Sequence, residues 1–261
     1  MSRDFELLQR LESGWEQSLH PLPGIEDDPI ARTRAALAGS VSTKLYAHAT
    51  RPLKQVTGEI RNEIQKLVFR AFLSSDACRT VTFTSVSKQD QANWLIACAA
   101  DALAEVVQKR VCLLDADIDH PSMHQAYSIS NRKGIMAATR SECQVCDAAI
   151  RVSGDLWIIP AGEPAGNSTY PTISDFRSML SMLSRHFDYV VINAPDCQRL
   201  TELCIVGAAS EGAVLLLDAA TTHRTSAQEA KSALETSGAR LIGSVFYNQQ
   251  DATPSVFSGR V

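Results

Sequence analysis

Between Val81 and Asp117 the chain reads VTFTSVSKQDQANWLIACAADALAEVVQKRVCLLDAD: an apolar strand, a polar loop, an alanine-rich helix and a second apolar strand ending on Asp115 and Asp117. Strands joined through a helix run parallel, because a crossover of that length returns the chain to the same end of the sheet. Parallel sheets are covered on both faces, so their strands are short, nearly continuous apolar runs. The rest of the chain keeps to that constraint. Strand candidates are Thr80–Ser85, Arg110–Leu114, Leu156–Pro160, Tyr189–Asn193, Gly212–Leu217 and Leu241–Phe246. Helical patterns lie at Thr57–Leu73, Gln91–Val107, Asp175–Arg185 and Thr225–Ser237. The expected fold class is α/β, a mostly parallel sheet with helices on both faces.

The loop after the first strand lies where a phosphate-binding loop would lie, without the residues that bind phosphate. Such a loop reads G-x-x-x-x-G-K-[ST]: glycines let backbone N–H groups close on the phosphates and the lysine meets their charge. Here Gln89 and Gln91 stand at the glycine positions, Ala92 at the lysine, and Asn93 at the hydroxyl residue, followed by the bulky Trp94. The candidate nucleotide site, in degenerate form, is Ser87, Lys88, Gln89, Asp90, Gln91, Ala92, Asn93 and Trp94, with Asp115, Asp117 and Asn193 at strand ends. Losing one charge-assisted hydrogen bond removes roughly 1.5–3 kcal/mol. Each glutamine forced into a left-handed conformation costs about 1–2 kcal/mol more. A site near −8 kcal/mol would fall from micromolar to roughly millimolar. Weak ATP or ADP binding therefore stays open.

Asp115 and Asp117 have two readings: they hold a cation, or they cap helices. Lys88 comes four positions early for a substitute lysine and also reads as a solvated loop charge. Arg110 opens a strand at the end of the sheet opposite the loop. His223 and Arg224 follow a strand, on the face where ligands bind. Ser85 and Ser122 lack a G-x-S-x-G context for acyl chemistry. No catalytic residue and no metal site is assigned.

A formal net charge of −4 gives no general attraction to nucleic acid or anionic lipid. No apolar run approaches the length of a membrane span and no signal-peptide pattern opens the chain, so a cytosolic setting is expected. Seven scattered cysteines fit reduced thiols. Cys143 and Cys146 form a C-x-x-C that reads as a redox pair, half a metal site, or two thiols at the start of an amphipathic helix. Residues 1–55 read as an arm: Phe5, Leu7, Leu8, Leu11, Trp15 and Leu19 recur at helical spacing, and Pro21-Leu22-Pro23-Gly24 stops the pattern before a linker. The globular domain is expected from residue 56 to 261.

From about Thr57 to Asn248 the chain resembles the cytosolic domain of bacterial tyrosine kinases of capsule and exopolysaccharide synthesis, in the deviant P-loop group that includes the MinD/ParA ATPases. The resemblance rests on the spacing of FTSVSKQDQANW and DADIDHPSMH, on LWIIPAG at Leu156–Gly162, on FDYVVINAP at Phe187–Pro195, and on the stretch Gly212–Gly243. It implies a P-loop sheet. It also marks the departures: the loop residues above, Asp119 and His120 where the family has paired arginines, Asn193 where it has the metal-organising aspartate, and no tyrosine after Tyr247. The family's oligomerisation helix has a partial echo at Glu59–Lys66, which implies a homo-oligomer. Together these imply an inactive relative serving as scaffold or regulator. Its expected partner is the cytosolic side of a polysaccharide co-polymerase or export protein at the inner membrane. Two alternatives are an ATPase or kinase with an unconventional loop and a MinD/ParA-like positioning protein.

Overall fold

The computed structural model describes residues 52–56, 58–74, 77–87, 90–140, 142–163 and 169–248. The helix expected over residues 5–19 and the rest of that arm up to residue 51 lie outside the described residues, as does the tail beyond 248. The first strand among the described residues, β1 (Thr80–Ser85), lies inside a seven-stranded sheet rather than at its edge. Along the chain follow β2 (Val111–Asp115), β3 (Ile150–Ser153), β4 (Leu156–Ile159), β5 (Tyr189–Asn193), β6 (Gly212–Asp218) and β7 (Leu241–Tyr247). Their order across the sheet is β3-β4-β2-β5-β1-β6-β7. Every pairing is parallel except β3 with β4.

Side-chain alternation divides each strand between two cores. Val81 and Phe83, Val111 and Leu113, and Val214 and Leu216 face α1 (Glu59–Val68) and α2 (Asp90–Val107). Cys112, Leu114, Val190 and Ile192 face α5 (Ile173–Leu183) and α6 (Leu200–Ala209) on the other side. Two short helices, α3 (Met123–Ala126) and α4 (Ile135–Thr139), fill the span between β2 and β3. The last helix, α7 (Arg224–Thr236), joins β6 to β7 on the α6 side, where Ala230 packs on Leu215 and Leu217. Helix α2 buries a run of small residues, Ala97, Cys98, Ala99 and Ala100, all 0% exposed, together with Ile96 and Leu103.

The expected parallel sheet is present, with corrections. The helical pattern Thr57–Leu73 is α1 followed by a π turn, Phe69–Leu73, which buries Ala71 and Phe72. β3 was not anticipated: it is four residues long, none of them fully buried, so it carries no apolar run to detect. Helix α6 was also missed, because it is apolar almost all round and has no polar face to give a period. The amphipathic helix expected at Cys143–Cys146 is a single 3₁₀ turn, Val145–Ala148, with a Gln144–Asp147 capping box. Cys146 is buried there and its thiol is pushed up to about 11, mainly by that burial. All seven cysteines are free thiols. Residues just before 56 also pack into the core. Pro52–Gln55 forms a 3₁₀ turn, Leu53 is fully buried in the α1–α2 core, and its N–H donates to Asp101.

Candidate functional site

The C-terminal ends of β2 and β5 lie side by side, which makes Asp115 and Asn193 direct neighbours in register. Both are buried, Asp115 completely. The Asn193 Nδ2 donates to Asp115 Oδ1 at 2.9 Å and reaches Ser122 Oγ at 3.4 Å. Asp115 Oδ2 accepts the backbone N–H groups of Ser122 and Met123, each at 2.9 Å. Those N–H groups open α3, whose first donors have no partner within the helix. The carboxylate therefore spends both oxygens on protein donors: it caps a helix and holds a cross-strand amide.

Burial pushes the Asp115 carboxyl up to about 6, although the bonds from Met123, Asn193 and Ser122 pull it down; Asp117 adds a smaller upward push. In the unfolded chain this carboxyl titrates near 3.8, so between about pH 4 and 6 the folded state holds a proton that the unfolded state has lost. Stability contributed by this group is greatest below pH 4 and falls as pH rises toward 6, by about 3 kcal/mol in all. Urea unfolding from pH 4.5 to 7.5 should show that decline, and Asp115→Asn should remove it. Equal pH slopes in the two proteins would reject the assignment.

Asp117, also buried, accepts from the His120 N–H at 3.0 Å and so closes the turn after β2. Between the two aspartates, the Ala116 carbonyl accepts from the Tyr170 hydroxyl at 2.9 Å. Burial, followed by the nearby carboxylates of Asp117, Glu202 and Asp115, raises that phenol well above its usual range. Asp119 forms an ion pair with Arg199, which also binds Glu202 at 2.9 Å, tying the turn after β2 to the start of α6. Sequence reasoning missed both Tyr170 and Arg199. Tyr170 precedes the Thr172 cap of α5 by two residues, and no spacing or motif marks it as a neighbour of Asp115.

The loop positions are spread out. Ala92 is buried at 1% exposure, its methyl within the α1–α2 core. Asn93 is half-buried, Gln91 is exposed, and Trp94 shows 37% of its surface at the first turns of α2. Ser87 is half-buried, and its carbonyl accepts from the Ser85 hydroxyl at 2.8 Å. Lys88 and Gln89 lie outside the described residues, and Asp90 opens α2. The structure thus brings Asp115, Asp117 and Asn193 together, while Ala92 turns away into the core. Arg110 lies at the opposite end of the sheet, where it exchanges hydrogen bonds with Asp188. Among the described residues no three His, Cys, Asp or Glu side chains are grouped to hold a metal ion. A separate cavity of about 420 Å³ opens between the loop after β1, the start of α6 and the loop after β6, with His223 on its rim.

A parallel sheet with this strand order, a helix-opening loop after β1 and polar groups at the ends of β2 and β5 has the fold of the P-loop NTPases. The kinase domain of Escherichia coli tyrosine kinase ETK superposes with a TM-score of 0.71 at 15% identity, covering 91% of this chain and all of that one. MinD of Aquifex aeolicus superposes at 0.54 and 17% identity, over 64% and 68% of the two chains. In sequence the chain is homologous to bacterial tyrosine-protein kinases. CapB of Staphylococcus aureus, classed with those kinases, is 22% identical over 209 residues, 79% of this chain and 90% of its own length. CpsD of Streptococcus agalactiae is 24% identical over 168 residues, 63% and 73% of the two chains. No family model matches the chain.

Proposed function

We propose that this protein is a catalytically inactive relative of the bacterial tyrosine kinases, acting as a scaffold or regulator of exopolysaccharide or capsule synthesis and export. The observation that carries this reading is the state of Asp115. A carboxylate that organises a metal ion needs a lone pair directed at the ion, and phosphoryl transfer depends on that ion together with fixed cations. Here three protein donors take three of the carboxylate's roughly four acceptor sites, leaving Oδ1 with one donor, and the neighbouring Asn193 supplies an amide where a second carboxylate would be required. At the loop, the position of the phosphate-binding lysine holds an alanine packed into the core. Similarity to CapB and CpsD supports the pathway.

On this reading the protein contributes surface and shape. Its partner is the cytosolic part of a polysaccharide co-polymerase or export protein, contacted peripherally at the inner membrane, and self-association along α1 is part of the same proposal. No helix among the described residues is long and apolar enough to cross a membrane. Calorimetric titration with ATP and ADP, with and without Mg²⁺, should give no binding heat up to about millimolar nucleotide, the level at which a site stripped of its charged donor sits. Mg-dependent binding in the micromolar range would overturn the proposal. Absence of any polysaccharide-export protein among partners captured from the native membrane would overturn the pathway assignment.

A further inference from the structure

The end of the sheet opposite Asp115 collects positive charge. The parallel strands begin there, and basic residues stand just before four of them: Lys109 and Arg110 before β2, Arg185 and His186 before β5, Arg79 before β1 and Arg240 before β7. Backbone hydrogen bonds stitch these starts into one row. The Asp188 N–H donates to the Arg110 carbonyl, the Val190 N–H to that of Arg79 and the Ala213 N–H to that of Arg240, each at 2.8 Å. The Arg79 guanidinium also donates to the Asp188 carbonyl at 3.1 Å. Across the order β2-β5-β1-β6-β7, with strands about 4.8 Å apart, the row is about 19 Å long.

The cations of this row face outward. Arg79, Lys109, Arg185 and Arg240 are exposed, and Arg110 is half-buried. Among the described residues Arg79, Lys109, Arg110 and Arg185 form no ion pair, whereas Arg61, Arg140 and Arg199 each do. Two carboxylates within the row serve the backbone instead: Asp188 Oδ2 accepts the Arg110 N–H at 3.1 Å, and Glu211 Oε2 accepts the Arg79 N–H at 2.6 Å. Burial, followed by Arg110 and Arg185, holds the His186 imidazole below its ordinary range, so the fields of both guanidiniums reach it. Lys109 and Arg185 also follow the ends of α2 and α5, where a cation complements the helix dipole. Arg79 and Arg110 lead into strands and have no such duty.

An extended acidic peptide docks through backbone hydrogen bonds as well as charge. The N–H groups of Arg79, Arg110, Asp188 and Glu211 are already taken within the domain. A lipid surface needs no backbone donor: guanidiniums held in a row meet phosphate oxygens directly, and their planar forks match them. We propose that this end of the domain docks on the phosphates of an anionic bilayer through Arg79, Lys109, Arg110, Arg185 and Arg240. Asp115 and Asn193 then lie at the end away from the membrane. The proposal rests on the charge of this face and does not depend on the inactive reading of Asp115.

Vesicle flotation of the full chain tests it. The chain should float with vesicles of phosphatidylglycerol and phosphatidylcholine, not with phosphatidylcholine alone, and about 1 M salt should release it. Each basic residue at an anionic surface is worth about fivefold in partitioning, so Arg110→Gln with Arg185→Gln should weaken binding roughly 25-fold. Arg110→Lys with Arg185→Lys keeps the charge and should bind like the parent. Arg132→Gln with Lys133→Gln removes two exposed charges beside Gly134, at the other end of the sheet, and should change nothing. The proposal fails if anionic vesicles do not float the chain, if neutral vesicles float it equally, or if the two glutamine pairs lose binding equally. Binding to soluble polyglutamate without binding to vesicles would assign the face to an acidic protein and also overturn it.

Discussion

Replacing Gly134 with alanine should destabilise the domain by about 4 kcal/mol or more, a loss in the range where single changes become exceptional. A β-carbon at that position would lie 2.0 Å from the Pro160 carbonyl oxygen, 2.5 Å from the Gly162 nitrogen and 2.7 Å from the Ala161 carbonyl carbon. All three are backbone atoms, so no side chain can swing aside. Gly134 itself is extended, with φ near −174°, and the cost is steric rather than conformational. Two hydrogen bonds hold the contact shut: Ile135 N–H to Pro160 and Met136 N–H to Ala161, both at 3.0 Å. Asn131 clamps the same junction by accepting the Gly162 N–H at 2.9 Å. Opening the gap by the required ångström breaks these bonds and separates α4 from the end of β4. Gly154→Ala is the control: nothing lies within 4 Å of its β-carbon, and its cost should stay under about 0.5 kcal/mol. Denaturant midpoints decide the matter, and equal losses in the two variants would refute the close approach.

Asp115→Ala should cost about 3 kcal/mol at pH 7. Three buried donors lose their acceptor, each worth roughly 1–3 kcal/mol when left unsatisfied, while relief of a buried charge offsets part of that loss. The Ser122 and Met123 N–H groups would have no cap, and Asn193 would keep only the longer contact to Ser122. The sign of this effect separates two uses of the same carboxylate. A group held in a strained, ligand-ready state destabilises the empty protein, so deleting it commonly raises stability. A group used as a cap and cross-strand partner lowers stability when deleted. A thermal midpoint at or above that of the parent protein would therefore count against the proposed inactive role.

How much of this was legible in the sequence depended on whether a feature left a periodic trace. The parallel strands did, because burial on both faces selects continuous apolar runs such as VCLLD and AVLLL. The hydrogen bonds of Asp115 left no mark in the sequence, because its donors come from Asn193 on β5 as well as from residues 122 and 123. Tyr170 reaches the site across 54 positions and carries no local mark. The cavity at the start of α6 was half visible: His223 stood out as a residue following a strand, whereas Ser226, Glu229 and Gln198 are ordinary surface types until the fold brings them together.

The interior position of β1 also sets a timetable for synthesis. Of the described strands this one leaves the ribosome first, yet Thr80 pairs with Val190 and Val81 with Gly212, so both neighbours are still untranslated when it emerges. At 5–20 residues per second the wait for β5 alone is on the order of 5–20 s, far longer than helix formation or chain collapse. Throughout that interval β1, with Val81 and Phe83 on the side that faces α1 and α2 in the folded domain, lacks both of its neighbouring strands. The nascent chain thus carries its most sheet-competent segment in an incomplete, chaperone-accessible form, and the last third of the sequence closes the sheet on both sides of it.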